Sequence, residues 1–205
     1  MVTRSEPGYV WDFCGGQLAV DFTNTVGDRG ASREEHFNAY GDVLAWAEAR
    51  GVVARAAAQH LRGEAERIPR EARQALGAMV ALRESLYNAI VAAAAGRVPA
   101  AADLARINAE VAPACARAHL APRRRRLTLA YDAPDPASLT QPITLPVVRA
   151  AVDLLTSDAL DRVRTCADAS CAWLFVDTTR SRTRRWCDMK ACGNRNKVRR
   201  FRGQA

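Results

Sequence analysis

The sequence holds no uninterrupted apolar run of about 18 residues, so no transmembrane helix is expected. Its opening, MVTRSEPGYVWDF, has one Arg and no apolar stretch behind it, so a secretory signal is not expected. Internal repeats and long low-complexity tracts are missing, although the middle is rich in Ala and Arg. No P-loop, dinucleotide fingerprint, H-E-x-x-H pair or nucleophile elbow occurs. The 3 histidines, His36, His60 and His119, are scattered, with no carboxylate at ligand or triad spacing. An enzyme is therefore not expected, unless the N-terminal body holds a deep pocket of convergent polar groups.

What is there is globular in kind. Of 205 residues, 49% are apolar and 25% charged, which excludes global disorder. The length suits one domain, or one domain plus a small module. Charge divides the chain unevenly. Residues 160–205 carry 12 basic and 4 acidic side chains, while residues 1–159 carry 18 of each. The whole net charge of +8 thus belongs to the last 46 residues, as in a neutral body carrying a basic binding module.

The 6 cysteines repeat this division. Cys14 and Cys115 are isolated and read as small buried residues, with a reactive thiol as the alternative for Cys14 beside Gly15-Gly16. Cys166, Cys171, Cys187 and Cys192 cluster at the C-terminal end. With no secretion signal, a reducing cytoplasmic setting favours metal ligation over disulfides.

Periodicity makes the body mostly helical with a small β component. Residues LAVDF could open a strand or a first helical turn. Ser32-Arg33-Glu34-Glu35 fits a capping box ahead of an apolar face of Phe37, Tyr40, Val43, Leu44 and Ala47, with Gly51 as its stop. A second helix spans about 53–66 and ends before Pro69. Residues 70–95 form the strongest helix, with Arg83 the one polar exception on its apolar stripe. Another helix covers about 100–111, before Pro113. Arg123–Arg126 and LTLAYD read as a strand, and residues 144–157 as a further helix running into the cysteines.

The two cysteine pairs each have a four-residue spacer, Cys166-ADAS-Cys171 and Cys187-DMKA-Cys192, and 15 residues separate them. Two close pairs joined by a short loop are the pattern of one structural, tetrahedral Zn²⁺ site, in which four protein thiolates leave no open position. The alternative is two disulfides or four unrelated thiols. The linking AWLFVDTTRSRTRRW supplies a strand or hairpin, with Trp173, Phe175 and Trp186 as a mini-core. A module this small rarely folds on its core alone. Zinc supplies on the order of 10 kcal/mol in comparable peptides.

Arginines flank the site. Arg180, Arg182, Arg184 and Arg185 precede the second pair, and Arg195, Lys197, Arg199 and Arg200 follow it on a short helix beginning near Gly193. Guanidinium forks match phosphate oxygens and guanine edges, so these eight are candidates for contact with duplex DNA. A solvated basic face, an RNA or ribosome contact, and an acidic protein partner are the competing readings. In the body, Asp21, Asn24 and Trp46 are candidates for lining a ligand pocket. The plainer alternative is that the polar pair caps a helix or turn and Trp46 packs in the core.

The segment from Phe175 to Phe201 closely resembles the CGNR zinc finger. The naming tetrapeptide is Cys192-Gly193-Asn194-Arg195, the RRWC stretch is Arg184–Cys187, and Cys166 and Cys171 match the upstream pair. Gly15-Gly16-Gln17-Leu18-Ala19-Val20-Asp21-Phe22-Thr23-Asn24-Thr25, with Leu44-Ala45-Trp46, resembles the ABATE domain that commonly precedes this finger. The chain departs mildly from that pattern at Thr178-Thr179 and in the Arg-rich 123–126 stretch. The resemblance implies an ABATE-like helical domain over 1–158, with ligand sensing or dimerisation as its role, and a finger over 159–205. It further implies a bacterial stress-induced transcription regulator with the finger as DNA binder. Its expected partners besides DNA are a small-molecule effector and a second copy of the chain, and no membrane.

Overall fold

The computed structural model describes residues 9–135 and 137–203. Helix α1 (Leu18–Thr23) settles the LAVDF ambiguity: the Gln17 side chain accepts from the Ala19 amide at 2.8 Å and caps it. Five longer helices follow in the body: α2 (Tyr40–Ala49), α3 (Arg55–Arg67), α4 (Pro69–Ala94), α5 (Ala101–Ala116) and α6 (Gln141–Leu155). Pro69 does not merely end α3; it opens α4, where its fixed φ suits the first turn. Gly51 and Gly96, both with positive φ, stop α2 and α4 where the sequence marks them.

Among the described residues, strand pairing is confined to three two-stranded antiparallel ladders. They are β1 (Val26–Gly27) with β2 (Glu34–Glu35), β3 (Ala118–Arg123) with β4 (Arg126–Tyr131), and β5 (Val163–Thr165) with β6 (Leu174–Val176). The fold is therefore mostly α with a small β component, as the patterning predicts.

The α4 stripe of Ala72, Ala75, Met79, Leu82, Leu86 and Ala89 packs into a core with Phe22, Phe37, Trp46, Ile143 and Val147. Full burial of each large apolar side chain contributes about 1.5–3 kcal/mol. Arg83, on the same stripe, is only 1% exposed. Its guanidinium donates to both Glu35 oxygens at 2.7 and 2.6 Å and to Glu84 at 2.9 Å, so the buried charge is paired. Arg29 and Arg33 also reach Glu84, at 2.6 and 2.8 Å.

That pairing corrects the capping box. Glu35 is committed to Arg83 and sits in β2, and the helix starts later, at Tyr40. Asp42 serves its first turn instead, accepting from the amides of Asn38 and Ala39 at 2.9 and 2.8 Å. Two further expectations shift. Helix α5 continues through Pro113 to Ala116, held between α4 and α6. Arg123–Arg126 is no single strand but the two ends and turn of a hairpin.

A second apolar cluster joins the two halves of the chain. Val20 of α1, Ile90 of α4 and Leu154 of α6 pack with Val163, Leu174 and Val176 of β5–β6. The C-terminal hairpin thus shares a core with the helical body, while the cysteines form a third cluster beyond it.

Candidate metal centre and basic face

Each cysteine pair sits on a turn stapled by an aspartate. In the first, the Asp168 carbonyl accepts from the amides of Cys171 and Ala172, and its carboxylate accepts from the Ser170 hydroxyl at 2.9 Å. In the second, the Asp188 carboxylate accepts from the Ala191 amide at 2.8 Å, and a wide π-helical turn, Met189–Gly193, runs directly into α7 (Asn194–Phe201). These turns point all four sulfurs inward. The Sγ atoms of Cys166, Cys171, Cys187 and Cys192 are buried and lie within 4.8 Å of one another.

The spacing fits a metal and not a disulfide. Cys171 to Cys187 and Cys187 to Cys192 are each 3.6 Å apart. A disulfide requires about 2.05 Å. The edge of a tetrahedron of thiolates around zinc at about 2.3 Å is about 3.8 Å. Thiol chemistry agrees. Hydrogen bonding with Cys171 pulls the Cys166 pKa down. The same contact pushes Cys171 up, and contacts with Cys14 and then Cys166 push Cys187 up. Four sulfurs this close cannot all be thiolates without a cation between them, and a divalent ion with soft ligands removes that conflict. The four cysteines bind one structural zinc ion. The Cys187 amide points at Cys166 Sγ at 3.5 Å and Arg195 Nη2 at Cys192 Sγ at 3.6 Å, an outer layer of donors that steadies thiolate ligands.

The body grips this centre at defined points. Asn24, 3% exposed, accepts from the Leu174 amide at 3.0 Å and donates to the Leu174 carbonyl at 2.8 Å, taking the place of a neighbouring strand. The Arg29 and Gly30 amides donate to the carbonyls of Cys171 and Ser170 at 3.1 and 3.0 Å. Gly30 permits that approach, since a Cβ there would lie 1.9 Å from the Ala169 carbonyl oxygen. Trp173 Nε1 donates to the Val26 carbonyl at 2.6 Å. None of these contacts is visible in the sequence, although Asn24 was singled out there for another role.

The candidate pocket residues are all occupied by the fold. Asp21 accepts from Arg50 Nε at 2.8 Å and from the Gly15 amide at 2.9 Å, and burial raises its pKa. Asn24 holds β6, and Trp46 packs between Phe22 and Phe37 at ring separations of 5.3 and 6.1 Å. Cys14 is half-buried against the cysteine cluster, whereas Cys115 is exposed, against the expectation that both are interior. His36 stacks on Tyr9, His60 is exposed on α3, and His119 lies 3.3 Å from Asp132 on the surface.

The eight candidate contacts for nucleic acid fall into two groups. Three bind their own protein. Arg184 donates to the carbonyls of Trp186, Cys14 and Cys187 and lies 4.5 Å over the Phe175 ring. Arg195 and Arg199, one turn apart on α7, clamp the fully buried Asp168 at 3.2 Å each. The remaining five, Arg180, Arg182, Arg185, Lys197 and Arg200, are exposed, as are Lys190 and Arg202. Asp177 shapes the loop that carries Arg180 and Arg182. Its carboxylate accepts from the Thr179 hydroxyl at 2.6 Å and from the Arg184 amide at 2.9 Å, and the Thr179 bond lowers its pKa.

A helical body bearing a buried tetrathiolate centre with an exposed basic rim defines a zinc-finger protein. Family models agree with the architecture. The ABATE model, described as "Putative stress-induced transcription regulator", matches residues 16–158, and the CGNR zinc finger matches residues 162–205. The chain belongs to the ABATE family and carries a CGNR zinc finger after it. A comparison with curated proteins finds no match. Among the described residues, no helix is long and apolar enough to cross a membrane.

Proposed function

We propose that the chain is a transcription regulator that binds duplex DNA through the exposed basic rim of its zinc finger, with no catalytic role. The observation that carries this reading is the division of labour among the arginines. Arg184, Arg195 and Arg199 bind inward, and Arg180, Arg182, Arg185, Lys190, Lys197, Arg200 and Arg202 are left facing solvent on the zinc-ordered segment. A rim that dense in guanidinium groups suits a backbone of evenly spaced phosphates. A cytoplasmic location follows from the reading.

In this scheme residues 1–158 form the responsive body and residues 159–205 the DNA-binding finger. The cleft between α2, α3 and α4 offers about 520 Å³ to a small-molecule effector, with Tyr40, Arg62, Glu66 and Arg73 among its walls. Dimerisation through the body would give the symmetry of a two-half-site operator.

The test is duplex binding by zinc-loaded protein at several salt concentrations. Six or seven phosphate contacts give a log–log slope of roughly −5 to −6. Arg180→Ala/Arg182→Ala/Arg185→Ala should reduce the magnitude of that slope by about 2–3 and weaken binding to every sequence. Tighter binding to structured RNA than to duplex at matched salt would move the reading to RNA. An absence of binding to either nucleic acid at about 50 mM salt would point to an acidic protein partner.

A further inference from the structure

The chain has a second concentration of positive charge that the zinc finger does not include. The hairpin β3–β4 turns at Arg124-Arg125, and Arg123 pairs with Arg126 across its last rung. All four arginines are exposed, and no ion pair among the described residues involves any of them. Among the described residues, the hairpin meets the body through its base, where Ala118, Leu129 and Tyr131 face α5 and α6. There Tyr131 lies under the Arg149 guanidinium at 3.9 Å, and the Asp132 amide donates to the Arg117 carbonyl at 2.9 Å. Further out, Leu120 and Leu127 are both 67% exposed. Six residues per strand carry the tip about 20 Å from that base.

This turn is poor for folding. Arg124 has φ of +57°, a left-handed conformation that glycine adopts freely and other residues adopt at a cost. Like charges opposed across a rung, as at Arg123 and Arg126, repel. A strained backbone that holds four unpaired cations at the end of an arm suggests that its compensation lies outside the chain.

We propose that this arm is a second duplex-DNA contact, with the guanidiniums of Arg123–Arg126 on backbone phosphates. The proposal rests on the reading of the chain as a DNA binder. Charge selects the occupant: a second copy of this chain would set eight arginines face to face, whereas the duplex presents closely spaced monoanions. The apolar rung of Pro122 and Leu127, beside Leu120, gives the arm a face for the sugars that line a groove.

The experiment uses full-length, zinc-loaded protein and fluorescence polarisation on a duplex. Three variants are compared: Arg124→Gly/Arg125→Gln in the arm, Arg180→Ala/Arg182→Ala/Arg185→Ala in the finger, and Arg97→Gln/Arg106→Gln as a control of equal charge on other exposed arginines. Glycine at 124 removes a cation while relaxing the turn, so misfolding would not explain a loss. Each phosphate contact contributes about eightfold at 0.1 M salt, so losing one or two weakens binding roughly 8- to 60-fold and lowers the salt slope by about 1–2. That result for the arm variant, with the control within about twofold of wild type, supports the proposal. An arm variant that binds like the control while the finger variant loses affinity would overturn the arm and leave the finger reading standing. Loss in the arm variant alone would uphold the arm and overturn the finger reading. Wild-type protein that binds no duplex would end both.

Discussion

Asn24→Ala should loosen the zinc finger from the body, and the size of the effect follows from two hydrogen bonds. Asn24 satisfies both backbone groups of Leu174, which is 1% exposed and therefore has no water to replace them. Leaving a buried donor or acceptor unpaired costs about 1–3 kcal/mol. Relaxation around the smaller side chain recovers part of this, so the expected loss is roughly 2–4 kcal/mol. A urea m-value of about 2–3 kcal/mol/M converts this to a midpoint lowered by about 1 M. Because Leu174 belongs to the cluster shared with Val20, Ile90 and Leu154, body and finger should unfold together. The assay is urea unfolding followed by tryptophan fluorescence, with zinc release read in parallel by a chromogenic chelator. Asn24→Asp keeps the acceptor for the Leu174 amide but sets a negative charge against its carbonyl, and should cost at least as much near neutral pH. A midpoint within about 0.2 M of wild type for Asn24→Ala would refute the idea that this residue anchors the hairpin.

Gly30→Ala should displace the loop that docks on the turn of the first cysteine pair, because the new Cβ meets backbone and not a movable side chain; a loss of about 1–3 kcal/mol and faster zinc release are expected, and unchanged release would contradict the contact. Arg184→Ala should speed zinc release, since Arg184 bonds the carbonyls around Cys187, whereas exposed Arg185→Ala should leave stability within about 0.5 kcal/mol and affect only DNA affinity. Burial raises the Glu84 pKa, but bonds from Arg29 and then Arg33, with the Arg83 charge, outweigh it and bring it from 4.5 to about 2. A depressed carboxylate pKa stabilises the fold above the unfolded value and ceases to do so as pH falls through the folded one. The stability gap between wild type and Glu84→Gln should therefore be full at pH 7 and close between pH 4.5 and about 2; a gap that stays constant over this range would contradict the network.

Some of this was legible in residue order and some was not. The metal ligands were, because two x₄-spaced cysteine pairs joined by a short loop leave few alternatives to one metal site. The long α4 was, because its apolar spacing is regular. Arg83 was conspicuous on that stripe, yet its partner Glu35 lies 48 positions earlier, beyond any local pattern. The same distant pairing took Glu35 out of the capping box. The arm was misread because Arg124-Arg125 carries none of the Gly, Asn or Pro that normally marks a hairpin turn. The basic rim was legible as charge but not as geometry. Sequence treats Arg184 and Arg185 alike, while the fold turns one inward onto the Phe175 ring and leaves the other exposed, lying over Trp186.

Duplex affinity measured on one sample, first zinc-loaded, then stripped by a chelator, then reloaded, bears most directly on the claim that a tetrathiolate zinc centre shapes a DNA-gripping surface. The account predicts tight, salt-sensitive binding that disappears with the metal and returns on reloading. Affinity that is indifferent to zinc, or absent while all four sulfurs hold it, would contradict the account.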